Sequence, residues 1–287
     1  VNKSLKVSKK EILDDFLLMN VSRNISYIGR KEVFMGRAKF GVFGDGKELP
    51  QIAMSKFFRN GDFRSGYYRD QTFMMSINQL TPDQFFAQLY AHTDIKKDPH
   101  SGGRQMNCHF GTRLLNENGD WKTQTDMMNS VSDISCVSGQ MPRIVGLAYA
   151  SKLYRNNKNL SDMENFSING NEVVFGTIGD ASTSEGHFWE AINACGVLQV
   201  PLIMSIWDDG YGISVPSEYH TTRNDLSKAL SGFQRSSKKE NGYEIFTVHA
   251  WDYINLLKTY QKAEKLARED HVPCIIHVKD VTQPQGH

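Results

Sequence analysis

Asp180 stands just past the apolar run that ends at Gly179, and Asp208 and Asp209 stand just past a second one, Pro201 to Trp207. Between the runs, Glu185 to Leu198 reads as an amphipathic helix with Phe188, Ile192, Cys195 and Leu198 on one side. A strand–helix–strand unit of this kind crosses over right-handed, so both strands run parallel and deliver their carboxylates to one edge of a sheet. Backbone N–H groups at Ser182 to Glu185 would face phosphate oxygens at the helix N-terminus, while the carboxylates hold a hard cation that also binds those oxygens. The chemistry that fits is a magnesium diphosphate. The same residues serve equally as ordinary strand-end turns and a helix cap.

Elements that would position this edge are legible on both sides of it. Glu172 to Ile213 is the central unit, and Tyr243 to Val248 and Cys274 to Val278 read as two more strands around a helix from Tyr253 to Glu269. Alternating strands and helices predict an α/β fold, a mainly parallel sheet with helices on both faces. Ser8-Lys-Lys-Glu11 is a capping box, and Ile12, Leu13, Phe16, Leu17 and Val21 carry an apolar stripe on to about Ile28. Residues 1–35 are therefore expected to be an N-terminal helical extension, and 36–287 the α/β domain. Thr81-Pro-Asp-Gln84 opens another helix, through Phe85, Phe86, Leu89 and Tyr90. Gly139 to Asn156 reads as a helix with Pro142 in its first turn, whose Gly146, Ala148 and Ala150 predict close packing. From Asp94 to Asp133 the chain is polar, Gly-rich and aperiodic, a length of loop that is usually functional.

Composition narrows the classes. The chain has 287 residues and a net charge of +1 with acids and bases intermixed, which argues against a polyanion-binding surface and nucleic acid as a partner. No apolar run is long enough to span a bilayer and no signal-peptide core opens the chain, so a soluble, cytoplasmic protein is expected. Cys108, Cys136, Cys195 and Cys274 lack C-x-x-C spacing and are expected to be buried thiols. Gly36, Gly41 and Gly44 match neither a dinucleotide fingerprint nor a phosphate-loop lysine motif. An NAD-dependent reading lacks its glycines. The chain begins with Val and stops at Gln285-Gly-His287, which suggests a piece of something longer.

Further candidates are Tyr68 and Arg69 in Gly66-Tyr-Tyr-Arg-Asp-Gln71, since a guanidinium grips phosphate with two donors. Arg104 and His109 lie in the polar loop. The run from Gly179-Asp-Ala-Ser-Thr-Ser-Glu-Gly186 through Asp209-Gly-Tyr-Gly-Ile-Ser-Val-Pro216 resembles the thiamine-diphosphate motif of the α subunit of 2-oxo acid dehydrogenases. Three more stretches match that family in order: Tyr67-Tyr-Arg-Asp70, Gly103-Arg-Gln-Met106 with His109, and Gly139-Gln-Met-Pro142 with Gly146. The resemblance covers about Met35 to His287. It implies a thiamine-diphosphate-binding fold in which Asp180, Asp209 and the backbone carbonyl of Tyr211 hold Mg²⁺. Tyr68 and Arg69 would contact the diphosphate, and Gly179, Ala181 and Ile213 would line the cofactor. Val137 would prop it into its bent shape, with Ser135 beside the aminopyrimidine. His287 matches the active-site histidine of a Gly-His-Ser loop and stands with His109 as a catalytic candidate.

The resemblance also implies the reaction: oxidative decarboxylation of a 2-oxo acid and transfer of the acyl group to lipoyl-lysine. The glutamate that activates the cofactor comes from a β subunit in this family, so a β subunit or fused β half and the lipoyl domain of an acyltransferase are expected partners. Gly103-Arg-Gln-Met106 with His109 favours a branched-chain substrate of the 3-methyl-2-oxobutanoate type. A pyruvate or acetoin dehydrogenase α subunit is the alternative, and a cofactor-binding module silent without its β partner is another. Two departures stand out. Asp208-Asp209 replaces the family's Asn-Asn, which adds negative charge beside a diphosphate, and Trp207 stands where some relatives carry a phosphate-binding arginine, which implies either a lower diphosphate affinity or compensation by another base.

Overall fold

A computed structural model describes residues 6–286 of the chain. Its frame is a six-stranded sheet, parallel throughout, in the order β2 (Asn129–Ser130), β1 (Phe63–Ser65), β3 (Val174–Gly179), β4 (Leu202–Trp207), β8 (Cys274–Lys279), β7 (Glu244–His249). β3 and β4 pair in register from Val174 opposite Leu202 to Gly179 opposite Trp207, so Asp180 and Asp208 leave the sheet side by side. The predicted α/β architecture is observed. β1 and β2 went unread because three and two residues are too short to carry an alternating pattern.

Alternation along each strand divides the apolar core into two layers. Phe175, Ile203, Trp207, Ile276 and Val278 face α1 (Lys9–Phe34), α2 (Glu48–Ser55), α3 (Gln71–Ser76), α4 (Pro82–Leu89) and α8 (Tyr253–Asp270). Val174, Ile178, Leu202, Met204, Ile206 and Ile275 face α5 (Gln140–Asn156), α6 (Gly186–Leu198) and α7 (Leu226–Ala229). A parallel sheet buried on both faces needs apolar residues on successive positions, which β4 supplies through Leu-Ile-Met-Ser-Ile-Trp, all buried. Its one hydroxyl, Ser205, bonds Tyr260 at 2.8 Å. A two-residue antiparallel pair, β5 (Tyr211–Gly212) and β6 (Val215–Pro216), sits apart, beyond the acid pair.

Three expectations need correction. The predicted stripe on α1 is not its buried face: Ile12, Leu13, Phe16 and Leu17 are exposed, Phe16 by 62%. The helix docks instead through Asp15, Ser22, Ile25, Ser26 and Gly29. The amide of Gln71 donates to Ser22 and Ser26, and Ser22 meets Thr72 at 2.6 Å, so polar complementarity seats this helix. Gly146 faces open space, with no atom within 4 Å of an added Cβ, so no close approach uses it. Cys136 is exposed, while the other three thiols are buried.

Arg64 on β1 fixes the loop that follows. It is fully buried, with Nε 2.8 Å from Asp70 Oδ2 and its two terminal nitrogens each 3.0 Å from an oxygen of Asp133. Its Nη2 also donates to the carbonyl of Tyr67 at 3.1 Å. Gly66 is required inside this knot, because a Cβ there would sit 2.0 Å from Asp70 Oδ2. Removing one member strands buried charge, so Arg64→Met is expected to lower unfolding stability by about 3–5 kcal/mol in denaturant titration. A loss below about 1 kcal/mol would show that the triad does not hold the loop.

Candidate active site

The ends of β1, β3 and β4 open into a cavity of about 300 Å³ lined by Lys47, Tyr67, Tyr68, Arg69, Val137, Gly179, Asp180, Ala181, Ser182, Trp207, Asp209, Tyr211, Gly212 and Ile213. Nine candidates from the sequence meet there: Tyr68, Arg69, Val137, Gly179, Asp180, Ala181, Asp209, Tyr211 and Ile213. A second cavity shares Arg69, Asp209, Tyr211 and Ile213 and is closed by Val281, Thr282, Gln283 and Gly286. Ser135 and His109 are not among the residues lining the first cavity. His109 is buried between the Asn107 carbonyl (3.2 Å from Nδ1) and Ser135 Oγ (3.1 Å from Nε2), and lines a separate cavity with His100, Arg104 and Asp133. His287 lies outside the described residues.

The local geometry of the phosphate-facing turn differs from the sequence expectation. Ala181–Ser184 forms a separate 3-10 turn, and α6 begins only at Gly186, capped without a side-chain bond by Glu185. The N–H groups of Thr183 and Glu185 are spent on the carbonyls of Asp180 and Ser182. They are not available as an anion nest, because the turn after β3 closes on itself before the helix starts.

Three carboxyls converge behind this turn, and each is handled differently. Asp180 is buried, its Oδ2 has no hydrogen-bond partner among the described residues, and its pKa is pushed up to about 8 by burial and then by the charges of Asp208 and Asp209. Burial also opposes ionisation of Asp208, but His277, at 2.7 Å from its Oδ2, outweighs it and holds that carboxyl below its usual range. The His277 ring is itself fixed by Ser227 at 2.7 Å from Nδ1. Asp209 accepts from the Tyr211 N–H at 3.2 Å and from Lys47 Nζ at 2.9 Å. The Asp-Asp pair is therefore met by a hydrogen bond from His277 and by the Lys47 ammonium, neither of which the sequence reading singled out. Lys47 follows the glycine cluster directly, the signal that was available, but its partner is 162 residues away.

Elsewhere on the cavity wall, Arg69 is buried, stacks over the Tyr68 ring with its guanidinium carbon 5.0 Å from the ring centre, and donates to the Phe43 carbonyl. Trp207 is fully buried, and its indole N–H has no partner among the described residues. Burial holds the Lys47 ammonium below its usual pKa, an effect that Asp209 opposes. Among the described residues no three His, Cys, Asp or Glu side chains form a metal cage. Mg²⁺ does not require one, since it is held by one or two carboxylates together with phosphate oxygens and water. The unpartnered Asp180 oxygen beside Asp209 fits such an ion.

Asp180 generates a pH dependence whose sign can be worked out. In the folded state its pKa is raised to about 8, well above that of an unfolded aspartate, so between about pH 4 and 8 only the folded chain keeps this proton. Stability must then fall as pH rises through that window. In chelator, Asp180→Asn is expected to raise the melting temperature above that of the parent at pH 8, with the gap closing towards pH 4.5. A gap that does not change with pH would contradict the assignment.

Comparison with known proteins agrees with this geometry. A family model described as "Dehydrogenase E1 component" matches residues 18–281. The 2-oxoisovalerate dehydrogenase subunit alpha of Bacillus subtilis (strain 168) is 25% identical over 276 residues, 96% of this chain and 72% of that one. The mitochondrial 2-oxoisovalerate dehydrogenase subunit alpha of Homo sapiens is 25% identical over 81% of this chain and 44% of its own length, and that of Caenorhabditis elegans 27% identical over 94% and 52%. The chain thus spans about half the length of these mitochondrial relatives. Among solved structures, transketolase from Campylobacter jejuni superposes over 91% of this chain and 37% of its own with a TM-score of 0.55 at 15% identity, a likeness of fold. With a match over nearly its whole length, the chain belongs to the dehydrogenase E1 component family, whose cofactor is thiamine diphosphate.

Proposed function

We propose that this chain forms the Mg²⁺ and diphosphate half of a thiamine-diphosphate site in an enzyme that oxidatively decarboxylates a branched-chain 2-oxo acid of the 3-methyl-2-oxobutanoate type. The acyl group passes to lipoyl-lysine on an acyltransferase. The observation that carries the reading is the one cavity into which four separate stretches deliver Arg69, Val137, Asp180 and Asp209.

Each residue has a task that its chemistry allows. Tyr68 and Arg69 grip the diphosphate, the guanidinium with paired donors. Asp180 and Asp209, with the carbonyl of Tyr211, hold Mg²⁺, and ionisation of Asp180 accompanies metal entry. Gly179 and Ala181 let the backbone approach the cofactor. Val137 and Ile213 wall the cavity and exclude water. Ser135 holds the His109 ring at 3.1 Å, which orients that imidazole for substrate contact. The bound cofactor supplies the electron sink for loss of carbon dioxide.

A second polypeptide, or a β half of the same one, completes the site. Among the described residues no glutamate lines the cavity. Among the residues lining it, Val137 is 54% exposed, Tyr211 56% and Ile213 71%, a largely apolar rim suited to being covered by a partner. A pyruvate or acetoin substrate is the alternative, since one methylene changes discrimination by only about 1–3 kcal/mol.

Calorimetry with thiamine diphosphate and Mg²⁺ tests the cofactor part. Binding is expected to require the metal and to weaken by about a hundredfold or more in Asp180→Asn, which removes a charged ligand. Metal-independent binding would sink the assignment of Asp180. With the β partner and lipoyl domain added, turnover of 3-methyl-2-oxobutanoate should exceed that of pyruvate, and the chain alone should turn over neither. Preference for pyruvate would replace the branched-chain reading.

A further inference from the structure

Lys47 is placed as few lysines are. Its side chain is 2% exposed, and its ammonium makes three hydrogen bonds: to Asp209 Oδ2 at 2.9 Å, to the Thr282 carbonyl at 2.9 Å and to Gln283 Oε1 at 2.8 Å. Three N–H donors meet three acceptors, so the head group is saturated and its position defined. Its backbone is equally constrained. Lys47 caps α2 directly after Gly46, where a Cβ would lie 2.0 Å from the Thr282 carbonyl oxygen. The same side chain lines the cavity with Tyr68, Arg69, Asp180 and Asp209.

Charge makes this position consequential. Three carboxyls crowd one wall of the cavity, yet the reading above asks that cavity to take a polyanion. Trp207 offers no positive charge at the end of β4. His277 is committed to Asp208. The Lys47 ammonium is in contact with Asp209, one of the two carboxylates assigned to the metal.

We propose that Lys47 both stands in for the metal and binds the diphosphate: with the site unloaded it neutralises Asp209, and when magnesium diphosphate enters it turns that third N–H to a phosphate oxygen and releases Asp209 to the metal. The bonds to Thr282 and Gln283 stay in place and keep the ammonium at the cavity wall. The exchange moves no covalent bond and no net charge on the protein. It brings the cavity a positive charge beside that of Arg69, from a different element of the fold. This inference rests on the thiamine-diphosphate reading.

The test uses opposite signs. In the full-length protein, Mn²⁺ binding without cofactor is followed by its electron paramagnetic resonance signal, and thiamine diphosphate binding at saturating Mn²⁺ by quenching of tryptophan fluorescence. Lys47→Met frees Asp209, so Mn²⁺ alone should bind about tenfold or more tighter, while thiamine diphosphate should bind about ten- to a hundredfold more weakly. Lys47→Arg keeps the charge and should leave cofactor affinity within about tenfold of the parent. A lysine that only braces the fold would move both affinities in the same direction or neither, and either result overturns the proposal. So would a Lys47→Arg protein as impaired as Lys47→Met. Lys47→Gln carries the same pair of titrations should Lys47→Met not fold. A parent protein that binds Mn²⁺ but no thiamine diphosphate would overturn the cofactor reading itself, whereas normal parent binding with an unaffected variant overturns only the role of Lys47.

Discussion

Arg64 has no contact with water, and its guanidinium is shared between Asp70 and Asp133, which both follow β1 but lie 6 and 69 residues beyond Arg64. Taking three charges out of water is costly, and the arrangement persists only because nearly every donor is answered. The consequence is geometric. Asp70 ends the loop carrying Tyr67, Tyr68 and Arg69, while Asp133 accepts from the Phe110 N–H and begins the approach to Val137. Asp70 Oδ2 also takes the hydroxyl proton of Thr177 on β3. One buried cation thereby registers three stretches that line or flank the cavity against the strand that presents Asp180.

A second charge arrangement governs the cavity itself. Asp180, Asp208 and Asp209 lie too close to be ionised together without compensation, and the chain resolves this in three ways. Asp180 is pushed towards its protonated form by burial and by its neighbours, Asp208 is hydrogen-bonded to His277, and Asp209 is paired with Lys47. The family's Asn-Asn pattern would avoid two of these charges. Here the added carboxylates are tolerated because residues from β8 and from the start of α2 reach them. The three acids are thus each held by a different means within one small volume.

What could be read in the chain follows the range of the interactions concerned. β3, α6 and β4 were legible because their apolar periodicity is local, and so were the capping boxes at Ser8 and Thr81, each closed within three residues. The edge strands β1 and β2 were not, being shorter than one period of evidence. The exposed stripe of α1 was misread for another reason: periodicity reports that a face is apolar, and cannot say which element covers it. Ser22 and Ser26 gave no hydrophobic signal, yet they are the contacts that seat the helix on α3.

The same division runs through the site. Asp180, Asp208 and Asp209 were identifiable from the sequence because a strand end places its next residue at the sheet edge, a property of the strand alone. Tyr68, Arg69 and Val137 came from family resemblance, and their meeting in one cavity depends on Arg64, whose partners lie 6 and 69 residues away. Lys47 and His277 were decided by tertiary structure only. Their residue types are common, and they acquire a role because folding removes water around carboxylates contributed by distant strands. Sequence determined where the acids stand; the closed fold determined which side chains answer them, since such polar interactions become decisive only once burial has lowered the dielectric around them.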